Sequence, residues 1–207
     1  GETEYTNYDR DISAKACAWL QERSISSQRD KPFVLFVSFI APHFPLIVPE
    51  EYYNLYKDLP IPTIKKSNPE LDDHPWWKAF NECYTFDRYF QNDYHRKKAI
   101  ISYLGLCTFV DALIGNVLCS LDKNGFSKNT NIMYLSDHGE NLGARRLWGK
   151  SVMYEESVAV PIILSEPIKP KGKIVKTPVS LIDVFPTILD AFDLNKVDDT
   201  PGRSLFE

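Results

Sequence analysis

Residues 33–45 read F-V-L-F-V-S-F-I-A-P-H-F-P, and the fold turns on this stretch. Residues 33–40 form a β-prone run of the kind produced by a strand covered on both faces, and Ala41-Pro42 ends it. Upstream, Ile12, Ala16, Trp19 and Leu20 recur at helical spacing across residues 8–23, with Asp9 or Asp11 suited to the first turn. Downstream, residues 45–92 are rich in proline and tyrosine and hold the pair Trp76-Trp77, which predicts a variable insertion or lid. Residues 94–123 then carry a long apolar stripe that includes Ile100, Leu106, Val110, Leu113, Val117 and Leu121. Gly125 follows it, suited to a left-handed cap.

Residues 131–135, N-I-M-Y-L, predict a second buried strand, which runs directly into Ser136-Asp137-His138-Gly139. A long helix between two buried strands predicts a parallel crossover and so an α/β fold. Residues 160–164 predict a third strand, and residues 180–192 a last helix interrupted by Pro186.

The composition fits one sizeable core: 207 residues, 43% hydrophobic, read as a single domain. A formal net charge of −4 offers no polycationic face, which makes nucleic acid a poor partner and a small molecule a better one. No uninterrupted apolar run approaches the ~20 residues of a bilayer span, so no membrane segment is expected. Localisation and oligomeric state stay open. Cys17, Cys83, Cys107 and Cys119 lack C-x-x-C spacing and are expected as buried free thiols.

In open α/β sheets ligands bind beyond the carboxyl ends of the strands, where His43 and His138 both fall. Taken singly, each reads equally well as a loop histidine bonded to backbone. Three separated motifs add to this in fixed order: F-V-S-F-I-A-P-H-F-P, then S-D-H-G-E-N-L-G, then L-W-G-K-S-V-M-Y-E-E-S-V-A-V-P. Together they resemble the sulfatases of the alkaline phosphatase superfamily, from Y-D-R-D-I-S-A-K-A-C-A-W-L near the start to P-G-R-S-L-F at the end.

The resemblance implies an alkaline-phosphatase-like, mostly parallel sheet flanked by helices, incomplete in this chain. It implies a sulfuric ester hydrolase acting on a small-molecule sulfate ester. Asp137 and His138 match two ligands of a divalent metal site, for which calcium is the usual ion; the histidine would also suit manganese or zinc. His43 matches the family histidine that contacts the ester and protonates the leaving group, and Lys150 the lysine that binds a sulfate oxygen. Glu140, Asn141, Arg145 and Arg146 read either as pocket lining or as a solvated turn, and His74, Trp76 and Trp77 either as a pocket rim or as a staple for the loop.

The family nucleophile is a formylglycine made within C/S-x-P/A-x-R, and no such motif occurs here. It is expected in a segment upstream of this chain, which would leave these residues inactive alone. A phosphonate monoester or phosphodiester hydrolase, and an inactive sulfatase-like binding module, stand as alternatives.

Overall fold

Thr3 starts the first helix earlier than the apolar spacing suggests. Its hydroxyl accepts the N–H of Thr6, and Thr6 Oγ1 accepts the N–H of Thr3. The computed structural model describes residues 1–62, 64, 74–84, 86–167, 172–197 and 199–206, and in it α1 spans Glu4–Ile25. Asp9 and Asp11 therefore lie inside the helix. Its buried face reads Thr6, Asp9, Ser13, Ala16 and Leu20, helically spaced but polar at one end.

The chain forms two units, Gly1–Pro167 and Ile168–Glu207. The first holds α1, α2 (Glu50–Asn54), α3 (Pro75–Cys83), α4 (Asp93–Lys123), β1 (Ile132–Leu135), α5 (Glu155–Val158) and β2 (Ile162–Ser165). Helix α4 is its axis, packed against α1 and α2. Phe109 is fully buried among Val48, Leu106 and Leu113, with Phe39, Ala41 and Tyr52 against them. Gly105 allows α2 to approach, since a Cβ there would sit 3.1 Å from the Tyr52 carbonyl oxygen. A second cluster joins Leu20, Leu121 and Phe126 to Trp19, Phe33, Leu35 and Ile132.

Helix α4 ends as its glycine suggests. Gly125, at φ 78°, gives its N–H to Asp122, and Phe126 gives its own to Leu121, the two bonds of a Schellman motif. By length and composition alone α4 could cross a membrane, contrary to the expectation from uninterrupted apolar runs, because Tyr103, Gly105 and Asp111 break its apolar sequence up. Here eight of its residues are buried in the chain, and it serves as a core helix.

The strands depart from expectation in pairing. β1 lies where residues 131–135 predict it and β2 two residues beyond the start predicted for the third strand, but they pair antiparallel, with Met133 opposite Leu164 and Leu135 opposite Ile162. Residues 33–40 run without helix or ladder assignment, and their exposure alternates: Phe33, Leu35, Val37 and Phe39 are half-buried, whereas Phe36 is 83% exposed. One face is therefore covered, not two. A run of β-branched and aromatic residues becomes a strand only when its N–H and C=O groups meet a neighbour, and no such ladder forms among the described residues. The parallel crossover is likewise not formed among them.

The proline-rich stretch contributes Val48 to the first cluster, while Trp77 packs with Leu147 and Val152 in a third. Residues 63, 65–73 and 85 of that stretch lie outside the described set. The thiols are free, but Cys83 and Cys119 are exposed, contrary to the expectation of burial, because both fall off the packed faces of their helices. Burial does push the Cys107 thiol up to about 11.

In the second unit, Ser180 and Asp183 form a capping box, and the Asp183 carboxylate also accepts the N–H of Arg203. These two N–H bonds hold its carboxyl below the usual range. Helix α6 spans Val184–Ala191, and Pro186 does not interrupt it. Proline is tolerated there because first-turn N–H groups have no intrahelical acceptor.

Asp87 ties the proline-rich stretch to α4 and to the segment before Lys150. It accepts two bonds from Arg96, at 2.9 and 2.8 Å, and one from Trp148 Nε1 at 3.0 Å. The Arg96 guanidinium beside it is the main cause of a carboxyl held below its usual range. A depressed folded value means stabilisation that is complete above the unfolded carboxylate value, about 3.9, and is lost as pH falls through the depressed one. Asp87→Asn should therefore lower the melting temperature at pH 7, with the gap to the parent narrowing below about pH 4; thermal denaturation across that range checks it. Leu20→Ala, at a fully buried site, should cost about 2–5 kcal/mol in chemical denaturation.

Candidate functional site

The site forms where three turns meet. The first follows residues 33–40. Asp9, fully buried on α1, accepts the N–H of Ile40 on one carboxylate oxygen and that of Ala41 on the other, both at 2.8 Å. Burial pushes its carboxyl up against the pull of these two bonds. The His43 N–H then closes back on the Ile40 carbonyl at 3.0 Å.

The His43 ring lies 2.7 Å from the Phe44 carbonyl through Nδ1 and 2.6 Å from Lys150 Nζ through Nε2. A carbonyl can only accept, so Nδ1 carries the proton; the ammonium can only donate, so Nε2 presents its lone pair. Phe44 backs the pair, its ring 4.2 Å from the imidazole and its centroid 5.5 Å from Lys150 Nζ.

The second turn, Ser136 to Gly139, leaves β1 directly. His138 Nδ1 lies 2.9 Å from the Gly139 carbonyl, which leaves Nε2 with a lone pair 3.6 Å from Asp137 Oδ2. Asp137 is largely exposed, and its other oxygen accepts the His138 N–H at 3.0 Å. The His43 and His138 rings approach edge to face at 6.3 Å, which brings the two histidines into one place. Each also keeps the backbone bond of an ordinary loop histidine.

Gly139 is required by space. A Cβ there would lie 2.2 Å from the Glu156 carbonyl oxygen, while its N–H donates to the Ser157 carbonyl at 2.8 Å.

The third turn carries Lys150. Glu140 accepts the N–H groups of Gly149 and Leu142, and Asn141 gives both its backbone and side-chain N–H groups to the Gly149 carbonyl, at 2.9 and 2.6 Å. Arg145 pairs with Glu156 at 2.9 Å, both side chains mostly buried, and its guanidinium stacks 4.0 Å from the Tyr154 ring centroid. Leu142, Arg145, Arg146 and Ser151 all adopt positive φ, between 49° and 80°. Such strain on four non-glycine residues beside Lys150 persists only where surrounding bonds over-determine the backbone.

All four residues singled out from the sequence, His43, Asp137, His138 and Lys150, thus meet in one region. Glu140, Asn141 and Arg145 are bonded into the framework of the third turn, while Arg146 is exposed. His74 caps α3 by accepting the Trp76 N–H, and Trp77 is buried against the Lys150 segment, which is the staple reading. Trp76 and His74 remain exposed. Asp9 was hidden by its place in the helical pattern. A carboxylate on the buried face of a helix was the available signal.

The Sulfatase family profile matches residues 2–194. A sulfatase of Formosa agariphila is 31% identical over 92% of this chain and 38% of its own length, and an arylsulfatase of Clostridium perfringens 34% identical over 90% and 40%. A phosphonate monoester hydrolase of Silicibacter pomeroyi superposes with a TM-score of 0.81 at 28% identity, over 94% of this chain and 40% of that one. The chain spans about two fifths of the length of the relatives it matches. Its fold is the corresponding part of an alkaline-phosphatase-like α/β domain. With the profile covering nearly all of its residues, the chain belongs to the sulfatase family.

Proposed function

We propose that the protein containing this chain hydrolyses sulfate monoesters, with His43 and Lys150 meeting the sulfate end of the substrate. The observation that carries this reading is the 2.6 Å contact between His43 Nε2 and Lys150 Nζ. Cleaving a sulfate ester requires cationic donors for the sulfate oxygens and a proton for the departing alcohol. Lys150 gives one N–H to His43 and keeps two for oxygens. In the acid role His43 would carry a proton on Nε2 in place of the lone pair now turned to Lys150, and pass it to the leaving oxygen.

Asp137 and His138 fit part of a divalent cation's shell. A carboxylate oxygen and an imidazole lone pair 3.6 Å apart match two donors that each lie about 2.0–2.5 Å from one ion. The bound cation would withdraw charge from a sulfate oxygen. Calcium is the ion we assign, with manganese or zinc also compatible with the imidazole. Among the described residues no group of three or more His, Cys, Asp or Glu converges, so these two would form only part of the shell. The family's formylglycine would supply the nucleophile. A second reading, phosphonate monoester hydrolysis, is favoured by the superposition on the Silicibacter pomeroyi enzyme, because both reactions present a tetrahedral anion to the same donors.

In the whole enzyme, Lys150→Ala should lower kcat/KM about 10²–10³-fold for every aryl sulfate, as removal of a transition-state donor does. His43→Ala should instead cost most with poor leaving groups, so a plot of log kcat/KM against leaving-group pKa should steepen; equal losses throughout would remove His43 from the acid role. The ratio of kcat/KM for matched aryl sulfate and phosphonate esters separates the two readings. Asp137→Ala should strip bound metal, read by elemental analysis of the purified protein, and unchanged metal content would take Asp137 out of the site.

A further inference from the structure

Asp9 lies on the buried face of α1, completely shielded from solvent, between Thr6 and Ser13. For stability alone a carboxylate is a poor choice there. Burying it costs more than two hydrogen bonds to neutral N–H groups readily return, and apolar Ala16 and Leu20 serve the same face further along. What the carboxylate secures is geometric. Its two oxygens take the consecutive N–H groups of Ile40 and Ala41, groups that in an extended segment would otherwise point in opposite directions. The backbone is thereby bent at the residue pair that precedes Pro42-His43.

Ile40 is held on both sides, its N–H by Asp9 and its C=O by the N–H of His43. Two hydrogen bonds thus lead from the α1 carboxylate to the backbone of the histidine that meets Lys150.

We infer that Asp9 is a positioning residue for His43, fixing the end of the 33–40 segment so that Nε2 lies against Lys150. The inference rests on the role given above to His43. Asp9 has no contact with the reacting groups; it acts through the Ile40 and Ala41 amides. Asparagine in its place has the same size but presents an NH2 group to one of the two N–H donors, which loses a bond and sets donor against donor.

The test is a double-mutant cycle in the whole enzyme, read with aryl sulfates of good and poor leaving groups. Asp9→Asn should lower kcat/KM about 10–100-fold for poor leaving groups and distinctly less for good ones, the pattern of His43→Ala. In the His43→Ala background the same change should cost less than about twofold. Ser13→Ala serves as the control: it removes a buried bond from the same helix to the Leu113 carbonyl and does not touch residues 40–41. It should lower the melting temperature while leaving the leaving-group dependence as in the parent.

An Asp9→Asn loss that is uniform across leaving groups, or that persists undiminished in the His43→Ala background, overturns the inference while His43 keeps its role. If His43→Ala shows no leaving-group dependence, the acid role fails first and the inference with it. Should Asp9→Asn not fold, Asp9→Glu keeps both acceptor oxygens but displaces them by one methylene. The same two signatures are expected from it at smaller size, and their absence overturns the inference equally.

Discussion

The whole site depends on one close approach, that of the Gly139 backbone to residues 156 and 157. With no side chain at 139, the turn that leaves β1 can lie against the Glu156 carbonyl and bond to that of Ser157. That contact fastens Asp137 and His138 to the segment whose Glu156 anchors Arg145, and Arg145 in turn belongs to the strained loop that delivers Lys150. A methyl group at this point would force the two segments apart, and every donor in the site would move relative to the others.

Around that contact, each group with a proposed chemical role has a polar residue that fixes its backbone. Asp9 holds the approach to His43, Glu140 and Asn141 hold the N–H and the carbonyl of Gly149 just before Lys150, and Trp77 packs with Leu147 and Val152. Loops carry function best when something rigid sets their conformation. Here the rigid parts are α1 and α4, joined where Leu20 packs with Leu121 and Arg10 lies over the Phe109 ring, so the turns inherit their placement from two long helices.

This division explains what could be read from the sequence. The helices were legible because α4 has a continuous apolar stripe and a glycine at its end, and α1 has Ala16 and Leu20 in register. The four residues that meet were legible because each sits in one of three ordered motifs that resemble the sulfatases; only His43 and His138 were marked as well by following a strand-like run. The pairing of the strands was not, since residues 33–40 show only that they could form a ladder, and a ladder's partner and direction are set by neighbours far away in the chain. Nor were Asp9 or Glu140: an acidic residue in a helix or turn reads as solvated until the backbone amides it faces are known. Pro186 misled because its position in the first turn depended on a cap, Ser180 with Asp183, that the apolar pattern alone does not locate.

His43 and Lys150 lie 107 positions apart, so their meeting closes a long loop, an entropic cost that a helix, whose bonds span four residues, does not carry. Formation of the pair is therefore a separate condition from helix formation. A molecule with its helices formed and its far-UV signal complete can still lack it, so an observable at the His43 imidazole reports native structure more strictly than helix content does.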